Sequence, residues 1–147
     1  KPLLKKSNLN FIFISFMQHE DPLAQKSRHG ISRILHATGY SVEGLKSGWK
    51  ETAFRQEAIL SFFLLPGAFF LGQSALEIIV LTGSVFLVLI VELLNTGVES
   101  AIDRMGPEWH AFSKRAKDVG SAAVLLSLLF CVLTWSLIAL ARFTDFL

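Results

Sequence analysis

Three stretches of this chain lack the alternation of apolar and polar positions that a half-buried element requires. Ala58 to Gly72, Ile78 to Val91 and Val119 to Ala141 are almost wholly apolar, and the last carries no charge at all. Val119 to Ala141 is long enough for a bilayer core of about 30 Å at about 1.5 Å of helix rise per residue. Ala58 to Gly72 is short for a crossing, so its helix is expected to begin near Glu51. The pattern predicts spans over 51–72, 75–104 and 118–143. Pro66 should bend the first, because proline removes a backbone hydrogen bond. Residues 72–74 read as a tight turn, Gly106-Pro107 ends the second span, and 107–117 reads as a polar loop. Before the spans, residues 29–49 carry Ile31, Ile34, Leu35, Val42 and Leu45 at helical spacing among basic residues. That is an amphipathic helix for the headgroup region, with a break at Gly39-Tyr40-Ser41. The fold class is an all-α membrane protein with three transmembrane helices and an N-terminal surface helix, in one domain over 29–147.

Residues 1–28 read as a tail. Asn10 to Gln18 is apolar but too short to span, and no small-residue cleavage site follows it. The expectation is that Met17 is the true start and that residues 1–16 are upstream translation or an artefact. The alternative is a loose interfacial tail.

Composition supports the membrane reading: 52% of the 147 residues are hydrophobic and the mean hydropathy is +0.50. The net charge of +2 says little about partners. The single cysteine, Cys131, lies among Leu and Val and reads as a small buried apolar residue. The distribution of Lys and Arg is informative. They crowd the segment before the first span and the 104–117 stretch, and the 72–77 turn has none. The positive-inside rule then puts the N-terminus and the 104–117 loop in the cytoplasm and the C-terminus outside.

Within the second span, Glu92, Asn95, Glu99 and Asp103 fall three, four and four residues apart, on one stripe of a helix. With Glu77 at the outer interface, Glu92 lies about 22 Å further in and Glu99 about 33 Å. Glu92 is thus submerged just under the cytoplasmic surface, and Glu99 is at the water boundary. An ionisable group in hydrocarbon is a functional-site hypothesis by default. The deeper carboxylate suits a general base, and the wetter one suits Mg²⁺ beside nucleotide phosphates. Glu51 and Lys117-Asp118, at the mouths of the other spans, could converge on the same place. The plain alternatives are ordinary interface residues for Glu51, Asp103 and Lys117, and a polar helix–helix contact for the stripe. No Gly-rich phosphate loop, GxSxG or CxxC is present, and the absence of βαβ patterning excludes a soluble nucleotide fold.

These residues carry a resemblance. Arg33-Ile-Leu-His-Ala-Thr-Gly-Tyr-Ser41, Glu51-Thr-Ala-Phe-Arg-Gln-Glu57, Val91-Glu-Leu-Leu-Asn-Thr-Gly-Val-Glu99 with Ala101-Ile-Asp-Arg104, and Arg115-Ala-Lys-Asp-Val-Gly-Ser-Ala-Ala123 resemble the small prokaryotic diacylglycerol kinases over residues 29–143. The resemblance implies a homotrimeric bundle with sites at subunit boundaries, and ATP with Mg²⁺ as phosphoryl donor. It implies Glu92 as catalytic base with Asn95 beside it, and Glu51 and Glu99 as metal carboxylates. Nucleotide contacts are implied for Arg33, Tyr40, Glu51, Glu99, Glu108, His110, Lys117 and Asp118. Lipid contacts are implied for Ser41, Phe54, Arg55, Glu57, Glu92 and Ser121. The chain departs from the family pattern in having one residue fewer between Trp49 and Glu51. It also has Lys114 where the family has glycine, and Pro107 and Trp109 in the loop.

The expected activity is ATP-dependent phosphorylation of the primary hydroxyl of diacylglycerol, giving phosphatidic acid, in a bacterial inner membrane. The expected partners are the lipid and further copies of the chain, with no nucleic acid. Two rivals are an undecaprenol kinase and a non-catalytic membrane assembly. The second would not need Glu51 or the R-A-K-D stretch.

Overall fold

A computed structural model describes residues 31–144, without the side chains of residues 31–33 and 35. The tail, Met17 and the expected helix start at His29 lie outside the described residues. Four helices follow in order: α1 Ile31–Lys50, α2 Thr52–Leu71, α3 Ala75–Asp103 and α4 Ala111–Thr144. Among the described residues there is no strand. Among the described residues, those up to Val42 belong to one unit and those from Glu43 to a second, which contains the three long helices.

The break expected in α1 does not occur. Thr38 Oγ1 donates to the Ile34 carbonyl and Ser41 Oγ to the Ala37 carbonyl, each at 3.0 Å. Both hydroxyls fold back on their own helix instead of offering the backbone another partner. One glycine costs a helix only about 1 kcal/mol relative to alanine, too little to interrupt it. Ile34, Val42, Leu45 and Trp49 are exposed, as an interfacial helix requires.

Helices α2, α3 and α4 are each long and apolar enough to cross a membrane. Helix α2 continues through Pro66 to Leu71. The turn into α3 is built by reciprocal capping. Ser74 Oγ accepts from the Glu77 N–H at 3.2 Å, and Glu77 Oε2 accepts from the Gln73 N–H at 2.8 Å. Helix α3 stops at Asp103. Gly106 follows with φ +114°, a conformation that side chains disfavour, and Pro107 cannot rejoin the ladder.

The helix of the third span starts at Ala111, seven residues before the expected span start at Asp118. Residues 111–117 mix polar and apolar positions, but Ala111, Lys114, Arg115, Ala116 and Lys117 are good helix formers, and Lys114 pairs with Asp118 at 2.5 Å one turn on. A helix that rises out of the membrane loses its apolar signature while remaining helical. The connecting loop is correspondingly short.

Helix α3 packs against both α2 and α4, which scarcely meet each other. The buried seam is narrow and made largely of small residues: Ser61 and Ala68 on α2, Leu81, Ser84, Val85 and Val88 on α3, Ser127, Cys131 and Thr134 on α4. Small side chains let helices approach closely where no water drives them together. Cys131 is buried as expected, and Ser84 Oγ lies 3.5 Å from its sulfur. Outside the seam, Phe62, Phe63, Phe69 and Phe70 are exposed, which suits lipid contact. At the turn end of the bundle, Arg142 of α4 reaches across. Its guanidinium donates to the Leu71 carbonyl at 2.9 Å and to Glu77 Oε2 at 3.0 Å. This tie satisfies an end carbonyl of α2 and joins α4 to α2 and α3 at one point.

Candidate active site

At the opposite end of the bundle, beside the 104–110 loop, a groove of about 270 Å³ is lined by Glu51, Ala53, Glu92, Asn95, Thr96, Glu99, Ser121 and Val124. Each long helix, or the residue that starts it, supplies part of this wall.

Glu51 is the junction between α1 and α2. Its backbone is extended and starts α2: its N–H donates to the Gly48 carbonyl, and its own carbonyl accepts from Arg55. Its carboxylate makes no capping hydrogen bond, so the side chain is not consumed by the helix it begins. Glu92, Asn95 and Glu99 come from successive turns of α3. Glu92 is 5% exposed and, among the described residues, the only buried charged side chain. Asn95 Nδ2 donates to Glu99 Oε1 at 3.4 Å, while Asn95 Oδ1 is buried and has no hydrogen-bond partner. Ser121 and Val124 come from α4. The carboxylates of Glu99 and Glu51 both act electrostatically on that of Glu92. The lining thus holds three acidic side chains and no basic one.

Such a lining calls for a cation. Among the described residues no three His, Cys, Asp or Glu side chains form a metal cage. Two carboxylates, Glu51 and Glu99, fit a hard ion that takes its remaining ligands from phosphate and water, which is the coordination habit of Mg²⁺.

The structure brings together Glu51, Glu92, Asn95, Glu99 and Ser121. Thr96, one residue off the acidic stripe and without a signal of its own in the sequence, also lines the groove. Other candidates stand elsewhere. Lys117 Nζ is paired with Asp103 Oδ1 at 2.5 Å, which ties α4 to the last turn of α3, and Asp118 is paired with Lys114. Glu108 and His110 are exposed in the loop. Tyr40 and Ser41 are exposed on α1, and the side chain of Arg33 lies outside the described residues. Phe54 is buried and Arg55 is half-buried. Glu57 faces a separate cavity of about 40 Å³ with Ser61, Val85, Val88 and Cys131, where its Oε2 has no hydrogen-bond partner. On the other flank of α3 and α4 runs an apolar groove of about 670 Å³, lined by Val91, Leu94, Val98, Val119 and Ala123 with Arg115. Asn95 is common to both grooves.

Residues 39–139 match the protein family described as prokaryotic diacylglycerol kinase. The chain belongs to that family. Its relatives include the diacylglycerol kinase of Haemophilus influenzae, 48% identical over 107 residues, or 72% of this chain and 91% of the relative. The diacylglycerol kinase of Escherichia coli K12 is 44% identical over 115 residues, covering 78% and 94%. That of Pseudomonas aeruginosa is 43% identical over 120 residues, covering 81% and 98%. Membership sets aside the non-catalytic assembly, and the names of these relatives do not favour the undecaprenol alternative.

Proposed function

We propose that this chain transfers the γ-phosphoryl group of ATP to the primary hydroxyl of diacylglycerol, giving phosphatidic acid and ADP. The observation that carries the reading is the convergence of Glu51, Glu92, Asn95 and Glu99 in one groove at a single end of the bundle. A lipid hydroxyl lies at the headgroup boundary, and ATP arrives from water. A site that is buried on one side and open on the other suits that pair of substrates.

In this reading Glu92 is the base. Its carboxylate takes the proton of the primary hydroxyl as the alcohol oxygen attacks the γ-phosphorus. The bond from that phosphorus to the β,γ-bridging oxygen breaks, and its electron pair leaves with ADP. Glu92 then returns its proton to solvent. Phosphoryl transfer of this kind depends mainly on alignment and charge neutralisation. Glu51 and Glu99 would hold Mg²⁺, and the chemistry it supplies when bound is neutralisation of phosphate charge. Asn95 sets the direction of the Glu99 carboxylate through its amide N–H. Lys117 is a candidate for the nucleotide phosphates, released from Asp103 when a stronger anion arrives. Arg33, Tyr40, Glu108, His110 and Asp118 are the further nucleotide candidates. Ser41, Phe54, Arg55, Glu57 and Ser121 are the lipid candidates.

The site end is assigned to the cytoplasm of a bacterial inner membrane, because Lys and Arg crowd the sequence there. The working form is assigned as a homotrimer. The length of exposed apolar surface on all three spans suits contact with further copies as well as with lipid. The deciding assay uses purified protein, radiolabelled ATP and Mg²⁺ in mixed micelles containing diacylglycerol or undecaprenol. Labelled phosphatidic acid is expected, and label in undecaprenyl phosphate alone would reject the reading.

A further inference from the structure

Asn95 presents a puzzle. Its carbonyl oxygen is buried without a hydrogen-bond partner, a costly state for a polar atom. Its amide nitrogen, by contrast, donates to Glu99. The neighbour that faces the oxygen is Gly120 of α4. A Cβ built on Gly120 would fall directly on Asn95 Oδ1, far inside contact distance, with Asn95 Cγ and Cβ next nearest. No other side chain comes within 4 Å of that position. The bond a Cβ would occupy is held in glycine by hydrogen, so an Hα of Gly120 points at the amide oxygen. Cα–H···O contacts of this kind recur at close helix–helix crossings and compensate in part for a missing donor.

We infer that Gly120 is a positioning residue for the site: by lacking a Cβ, it admits the Asn95 amide between α3 and α4 and holds it so that its N–H stays on Glu99. The inference deepens the proposed function and rests on that reading for its kinetic consequence. Its steric basis does not depend on the reading. Any residue larger than glycine at 120 must displace Asn95, and the Glu99 carboxylate then loses the donor that orients it. Groups that orient a metal ligand are typically worth about 10–100-fold in metal affinity.

The test is a double-mutant cycle of Gly120→Ala and Asn95→Ala, read by thermal unfolding in detergent and by the Mg²⁺ dependence of lipid phosphorylation. With Asn95 present, Gly120→Ala should lower the unfolding midpoint. In the Asn95→Ala background the clash is gone, and the better helix propensity of alanine should raise it. The Mg²⁺ concentration for half-maximal rate should rise about tenfold or more in Gly120→Ala. It should not rise further when Gly120→Ala is added to Asn95→Ala. Should Gly120→Ala alone fail to fold, the double variant should still fold. A midpoint change of the same sign in both backgrounds, a double variant that also fails to fold, or an unaltered Mg²⁺ requirement in Gly120→Ala would overturn the inference. A wild-type protein inactive on diacylglycerol would instead sink the functional reading and leave the thermal cycle to judge Gly120.

Discussion

Glu92 is buried in a wall that contains two other carboxylates and no basic side chain, a placement that stability alone does not explain. Glu92→Gln preserves size and hydrogen bonding and removes the proposed base. A positioned base contributes about 10²–10⁴-fold, so kcat should fall by at least about two orders of magnitude. The KM for ATP should stay nearly unchanged, since the proposed nucleotide contacts are shallower groups. A variant with normal kcat and weakened ATP binding would move the base elsewhere. Glu99→Gln should abolish activity at ordinary Mg²⁺ and leave assembly intact by size-exclusion chromatography, and wild-type rates in that variant would remove Glu99 from the metal site. The shared placement of Glu92, Asn95 and Glu99 was legible in the sequence, because their spacing puts them on one stripe of a helix, and they line one groove. The contact of Gly120 with Asn95 was not. A glycine in a span is common, and only the facing helix reveals what its missing Cβ admits. Glu57 likewise matched a lipid-contact position, yet it lies on a different cavity from Glu92, a distinction set by helix rotation and invisible in spacing.

At the scale of elements, the apolar runs located the three helices long enough to cross a membrane, and they did not show where the helix of the last begins. Ala111 to Lys117 carries the composition of a loop and the intrinsic preference of a helix, and hydropathy responds only to the first. The Gly39-Tyr40-Ser41 break failed for a related reason, since the hydroxyls beside that glycine bond back to their own helix. The Ser74–Glu77 capping pair was also present in the sequence and passed unread. Ser74→Ala should destabilise the fold by about 1 kcal/mol, the usual worth of such a cap, measured by reversible unfolding in detergent. It follows that a topology probe belongs at Gln73 rather than on the capping serine. In a Cys131→Ala background, a cysteine at Gln73 should label only from outside the cell and one at Trp109 only from inside. The reverse pattern would put ATP and the carboxylate groove on opposite sides and defeat the kinase reading.

For the whole molecule, cross-linking and native mass spectrometry in detergent should find three copies. A monomer with full activity would dispose of a site shared between subunits. The tie made by Arg142 has a wider consequence. It anchors α4 to the start of α3 at the turn end of the bundle, and Glu92 stands fifteen residues along α3 from Glu77, about 22 Å of helix. In the proposed orientation the turn end lies at the outer surface, and the protein is a ruler laid from the far leaflet. The acceptor hydroxyl, however, floats with the near leaflet. Thickening the membrane carries the alcohol away from Glu92, and thinning it pushes the alcohol past. In vesicles of phosphatidylcholines with progressively longer acyl chains, the rate should pass through a maximum and decline on both sides, although no atom of the site has changed.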